Sequence, residues 1–157
     1  HSPALAGTML TVFLFGGAIG SICGGYLGDR FGRKNCIIGA LAVCIPALYL
    51  FLTSKEISAL AWLALGISGA ALQATLPSSI VWAQEMLPSN AAMASGMMLG
   101  LSFGLGGGGA AITGAVADVI GLQEALLWSI APLMLAIGIT TVIPEKKAPT
   151  LSLGQSG

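Results

Sequence analysis

The sequence predicts an all-α polytopic membrane protein with five transmembrane helices, on three observations. Only 12 of its 157 residues are charged, or 8%, against about 25% in soluble domains. Those charges fall at positions 29–34, 55–56, 85, 118, 124 and 145–147, so they divide the chain into long silent stretches. The stretches cover 1–28, 35–54, 57–84, 86–117 and 125–144 and hold 28, 20, 28, 32 and 20 residues. A helix needs about 20 apolar residues to cross a bilayer, and it satisfies its own backbone within the segment. Each stretch therefore accommodates one crossing, and the charges sit in the connections because each would cost about 2.5–3.5 kcal/mol at a helix centre.

The first span, 7–27, comes after Ser2 and Pro3, which suit an N-cap and a first helical turn. No basic segment precedes it, so it does not read as a signal peptide, and a start at His1 suggests a fragment of a longer chain. Spans two to five are expected at 36–52, 57–83, 91–117 and 124–143. Ser54 ahead of Glu56, and Ser89 or Asn90 after Pro88, offer helix-start chemistry for the third and fourth. Trp62, Trp82, Trp128, Tyr26 and Tyr49 all lie near span ends, the headgroup level that such rings prefer. Residues 1–147 thus form one transmembrane unit, and 148–157 are expected as a disordered tail.

Five crossings place the termini on opposite sides. Arg30, Arg33, Lys34, Lys146 and Lys147 share one side, and only Lys55 occupies the other. The positive-inside rule then puts the 28–35 loop and the C-terminus in the cytoplasm, in a cell membrane. A net charge of zero offers no basic face for nucleic acid. Cys23, Cys36 and Cys44 have no paired spacing and read as small packing residues, and neither a metal site nor a cofactor is expected.

Glycines are patterned in two spans. Gly16, Gly20, Gly24 and Gly28 recur every four residues, and Gly96, Gly100, Gly104 and Gly108 do the same. Each ladder is expected to give a smooth seam where another helix packs closely, because association in lipid relies on backbone approach. A second echo joins these spans: Gly25, Asp29 and Gly32 form G-x-x-x-D-x-x-G, and Gly114, Asp118 and Gly121 repeat it 89 residues later on the opposite membrane face. Opposed repeats of this kind mark inverted-topology transporter folds.

Enzymatic chemistry finds no support. Gly104–Gly109 satisfies G-x-G-x-x-G, but it lies mid-span with no preceding strand. Gly100–Gly104 satisfies G-x-S-x-G, yet the sole histidine, His1, lies outside every span and leaves Ser102 without a base. No catalytic residue is assigned. In the third span Gly66, Gly69, Gln73, Pro77 and Gln84 share a helix face. Gln73 is near mid-span and is a candidate for substrate contact, the alternative being a bond to a neighbouring helix. Pro77 is a candidate point of bending. Glu85, beside Trp82, is expected as a solvated boundary charge.

The segment Gly25-Tyr26-Leu27-Gly28-Asp29-Arg30-Phe31-Gly32-Arg33-Lys34 resembles the loop signature G-x-L-x-D-R-x-G-R-K of the major facilitator superfamily at every specified position. The resemblance implies a twelve-helix transporter of which this chain supplies helices eight to twelve, with the preceding helices as its main partners. Residues 87–122 further resemble the fosmidomycin-resistance type of drug exporter, although Val119 and Ile120 replace the bases after the second aspartate. The superfamily resemblance implies alternating-access transport of a small molecule, and the subfamily resemblance alone implies proton-coupled efflux, with the proton gradient as energy source and no cofactor. Gly25, Asp29, Arg30, Gly32, Arg33 and Lys34 would form a conformational latch, with Asp29 directed at a helix N-terminus in the other half. No acid lies deep in a span to relay protons. A truncated, non-transporting fragment or helix-packing partner is the alternative.

Overall fold

The computed structural model describes residues 3–54 and 58–143. Ser2, Lys55, Glu56, Glu145, Lys146, Lys147 and the 148–157 tail lie outside the described residues, and so do the expectations that rest on them. The described residues form six α-helices: α1 Pro3–Phe31, α2 Arg33–Thr53, α3 Ala59–Met86, α4 Ala91–Ile120, α5 Leu122–Trp128 and α6 Ile130–Val142, with a 3₁₀ turn at Pro88–Asn90. Four are long and apolar enough to cross a membrane individually, and α5 with α6 makes the fifth candidate span, Leu122–Val142.

The break between α5 and α6 has a local cause. Pro132 has no N–H to give to the carbonyl of Trp128, so the helix loses a bond there. Ser129 N–H is shared between Ala125 O at 3.3 Å and Leu126 O at 3.1 Å, which tightens the turn there. Helix-start chemistry differs from the sequence expectation at both expected caps. Ser54 closes α2, its hydroxyl donating to Leu50 O at 2.6 Å, and Ser58 caps α3 by accepting from Ala61 N–H at 3.3 Å. Asn90 stands at the start of α4 without a side-chain capping bond, and Ser89 lies within the 3₁₀ turn.

The helices also reach further into the signature loop than its charges suggest. α1 continues through Asp29 and Arg30 to Phe31, and α2 opens at Arg33, so the connection is Gly32 alone. At φ 90° and ψ 143° Gly32 adopts a backbone that side-chain-bearing residues rarely take. That single residue reverses the chain and fixes where Arg33 and Lys34 emerge.

Helix α3 is the centre of the fold, packed against α1, α2 and α4. It buries Ala61, Ala64, Leu65, Ser68, Gly69, Ala71 and Ser78, nearly all of them small. Helix α2 in turn touches α5 and α6. Helix α4 leans on α3 and α5, and only Ala94 in it is buried.

Close approach of α1 to α3 rests on the first glycine ladder. A Cβ at Gly16 would lie 2.3 Å from Gly66 O, one at Gly20 2.0 Å from Ala70 O, and one at Gly24 2.5 Å from Ala74 Cα. At Gly28 it would meet Ser78 Oγ at 2.7 Å. Each rung faces a residue 50 positions later, so α1 and α3 run parallel and in register. The second ladder differs. Cβ atoms at Gly96, Gly100, Gly104 and Gly108 would meet nothing within 4 Å among the described residues, so the close packing expected of this seam has no partner within them.

Candidate functional site

The signature segment gathers at one end of α1, α2, α3 and α6, and its three bases take three different partners. Arg33 is the most enclosed, only 14% exposed on its side chain. Its guanidinium pairs with Asp29 one turn earlier and, through Nε at 3.5 Å, with Glu85 Oε1 at the end of α3. Gly28 makes room for this arrangement. A Cβ there would approach Arg33 Nη1 to 3.1 Å as well as Ser78 Oγ to 2.7 Å. The lowest rung of the ladder therefore serves both the helix seam and the passage of Arg33 across to α3.

Lys34 reaches the far end of the chain. Its Nζ donates to Thr141 O at 2.9 Å and Ile143 O at 2.6 Å, the free carbonyls at the C-terminus of α6. A cation is favoured there because those carbonyls carry the negative end of the helix dipole. Arg30 remains on its own helix. It donates to the Tyr26 hydroxyl at 3.3 Å and lies 5.9 Å from the Phe31 ring centre.

Five of the expected latch residues, Asp29, Arg30, Gly32, Arg33 and Lys34, are thus brought together. Gly25 sits one turn earlier on α1 with open space where a Cβ would be. The expectation for Glu85 needs correction. Although its side chain is 46% exposed, it is the α3 partner of Arg33 and not merely a solvated boundary charge. Topology contained the clue, since α1 and α3 run in the same direction and must end on the same face.

Below the charged cluster the three packed helices share a polar node. The buried Ser78 hydroxyl donates to Gly24 O at 3.2 Å, and Cys36 Sγ lies 3.5 Å from both Ser78 Oγ and Gly24 O. Backbone from α1, thiol from α2 and hydroxyl from α3 thereby meet at one point. Gln73 lies further along the α1–α3 contact, where its Cγ occupies the space left by Gly17; a Cβ on Gly17 would approach it to 2.8 Å. Gln73 is partly exposed, and Pro77 lies one turn later inside α3. Gln84 bridges helices instead, its Nε2 donating to Ser95 Oγ of α4 at 2.6 Å.

The second acidic element shares a backbone feature with the first. Gly121 comes three residues after Asp118, just as Gly32 comes three after Asp29, and its φ 94° and ψ 151° nearly equal the values at Gly32. These are the only two positive-φ glycines among the described residues. Each ends one helix and starts the next with no intervening loop, although Leu122 stands four residues after Asp118, where Arg33 follows Asp29 to form its pair.

The profile described as Major Facilitator Superfamily matches residues 1–156. The chain belongs to this superfamily. A transporter of the superfamily from Bacillus subtilis, itself uncharacterised, is 35% identical over 138 residues, covering 88% of this chain and 31% of its own length. The fosmidomycin resistance protein of Escherichia coli is 33% identical over 141 residues, 88% of this chain and 33% of that protein. A 4-hydroxybenzoate transporter of Pseudomonas putida is 27% identical over 145 residues, 90% of this chain and 32% of that protein. No solved structure matches. The chain spans about a third of the length of these curated relatives. As a major facilitator chain it is a membrane protein, and its five apolar helices fit that placement.

Proposed function

We propose that the chain is the C-terminal transmembrane part of a secondary active transporter that exports a small molecule by alternating access, driven by the proton gradient. The observation that carries the mechanism is Arg33, held between Asp29 and Glu85 and tying the end of α1 to the end of α3. With Lys34 fastened to α6, the cluster makes the ends of four helices, α1, α2, α3 and α6, one body. Asp29 is 68% exposed on its side chain, so its carboxylate is accessible to a helix N-terminus of the other half, where a negative charge is favoured by about 0.3–1 kcal/mol. That contact forms in one access state and breaks in the other. Rocking of the halves then latches and releases at the cytoplasmic face, a placement of this loop that the excess of bases supports. The nearly equal φ and ψ at Gly32 and Gly121 support two opposed units built alike.

Likeness to the fosmidomycin resistance protein supports efflux of a drug. Gln73 and Pro77 on α3 are the candidates for substrate contact and for bending. Gly96, Gly100, Gly104 and Gly108 are the face on which the preceding helices would pack, since an open glycine seam allows close helix approach. The test uses cells expressing the intact transporter and measures fosmidomycin accumulation with and without an uncoupler. Expression should lower accumulation, the uncoupler should restore it, and Asp29→Asn should slow efflux while membrane insertion stays normal. Unchanged accumulation on expression removes the efflux reading, and wild-type rates in Asp29→Asn remove the latch.

A further inference from the structure

A groove of about 400 Å³ opens between α1 and α2 and is floored by α3. Its walls are apolar and include Cys23, Leu27 and Phe31 of α1, Gly39 and Val43 of α2, and Ile67 of α3. Asn35 is the one polar amide in the lining and stands at the loop end, its Nδ2 donating to Phe31 O at 3.1 Å. Along α1 the lining runs from Gly20 to Phe31, which at about 1.5 Å per residue is ~16 Å. That length is close to one leaflet of a hydrocarbon core about 30 Å thick. With its loop end at headgroup level, a groove of this length would stop near the bilayer midplane.

Charge at its mouth is equally specific. Arg33 is engaged by Asp29 and Glu85, and Lys34 by the carbonyls of α6. Among the described residues Arg30 has neither an acid nor a carbonyl partner, and its guanidinium stands beside the Phe31 ring that lines the groove. A leaflet-deep apolar channel, with one cation at its rim whose charge no acid or carbonyl offsets among the described residues, matches a single amphiphile: an acyl chain below and an anionic phosphate above.

We propose that this groove is a binding site for an anionic phospholipid of the loop-side leaflet, with one acyl chain between α1 and α2 and the phosphate against Arg30 and Asn35. The inner leaflet is meant on the reading that the loop is cytoplasmic. Occupancy would fill the gap that opens at the charged loop beside the α1–α3 seam, and would tie the loop to the surface charge of that leaflet.

The experiment reconstitutes the intact transporter with phosphatidylglycerol carrying a photoactivatable diazirine on its acyl chain, and maps the crosslinks by peptide mass spectrometry. Labelling is expected on the groove walls around Cys23, Leu27 and Val43. Arg30→Gln should lower phosphatidylglycerol labelling about fivefold, the attraction of one basic residue to an anionic leaflet, with little effect on a phosphatidylcholine probe. Gly39→Phe should abolish labelling by both; a Cβ there meets nothing within 4 Å among the described residues and the ring would enter the open groove, and Gly39→Ala, which leaves the groove open, should label like wild type. Labels spread evenly over the apolar surface, or an Arg30→Gln variant labelled like wild type, would overturn the site. Absence of labelling by either lipid would show that other helices of the intact protein occupy the groove, and also overturns it. Displacement by soluble glycerol phosphate would reduce the site to its headgroup part. Crosslinks obtained only with probe confined to the outer leaflet would overturn the cytoplasmic placement of the loop and leave the groove as a lipid site.

Discussion

Gly16 and Gly66 face each other across the α1–α3 seam, yet the structure gives them opposite tolerance of a methyl group. A Cβ on Gly16 would sit 2.3 Å from the Gly66 carbonyl oxygen, about 1.1 Å inside the 3.4 Å of ordinary contact, and one on Gly20 would sit 2.0 Å from Ala70 O, about 1.4 Å inside it. Both obstacles are backbone atoms, so no rotamer change relieves them and the helices must separate. Overpacking of this kind costs typically about 1–3 kcal/mol, and Gly20→Ala should lie at the upper end because three atoms of Ala70 are within 2.4 Å. Gly66→Ala meets only Val12 Cγ1 at 3.7 Å, ordinary contact. It should be neutral, or gain part of the ~1 kcal/mol by which alanine exceeds glycine in helices. The assay is reversible unfolding of the intact transporter in mixed micelles by a denaturing detergent, comparing Gly16→Ala, Gly20→Ala and Gly66→Ala. Equal stabilities for Gly20→Ala and Gly66→Ala would refute the register of the seam.

The charged cluster and the polar node carry further expected outcomes. Lys34→Ala should free the α6 carbonyls, weakening the end of that helix by about 0.5–1.5 kcal/mol, read as faster hydrogen exchange at residues 139–143 than in wild type. A double-mutant cycle on Arg33→Gln and Glu85→Gln should give a coupling of about 0.2–1 kcal/mol, as for partly exposed pairs, and zero coupling would remove Glu85 from the site. Ser78→Ala should cost about 0.6 kcal/mol, the average for an interhelical hydrogen bond in a membrane protein, measured by the same unfolding assay. Gly28→Ala should cost more than Ser78→Ala, because its methyl meets Ser78 Oγ and the Arg33 guanidinium together.

Much of the fold was legible because the bilayer is a severe solvent. Charges at positions 29–34, 85, 118 and 124 mark helix ends whatever the tertiary arrangement, since none is tolerated in mid-span. The loop signature was legible for a similar local reason. Gly32 and Gly121 each reverse the chain at a positive φ, and that requirement is written in the residue itself. Partner choice was not legible. Nothing near Arg33 in sequence points to Glu85, which lies 52 residues away, or near Lys34 to the carbonyls of Thr141 and Ile143.

The order of residues is enough to make the chain five apolar rods joined by short charged connections, because a lone helix must satisfy its backbone and shed its charges to lie in lipid. It also determined which rods carry glycine ladders. What those ladders do depends on how the helices pack. Two runs with identical four-residue spacing have different surroundings, the first pressed onto the carbonyls of α3 and the second open among the described residues. Spacing defines a smooth face, but contact requires a second helix at the right height and rotation, and that is a property of the assembled bundle.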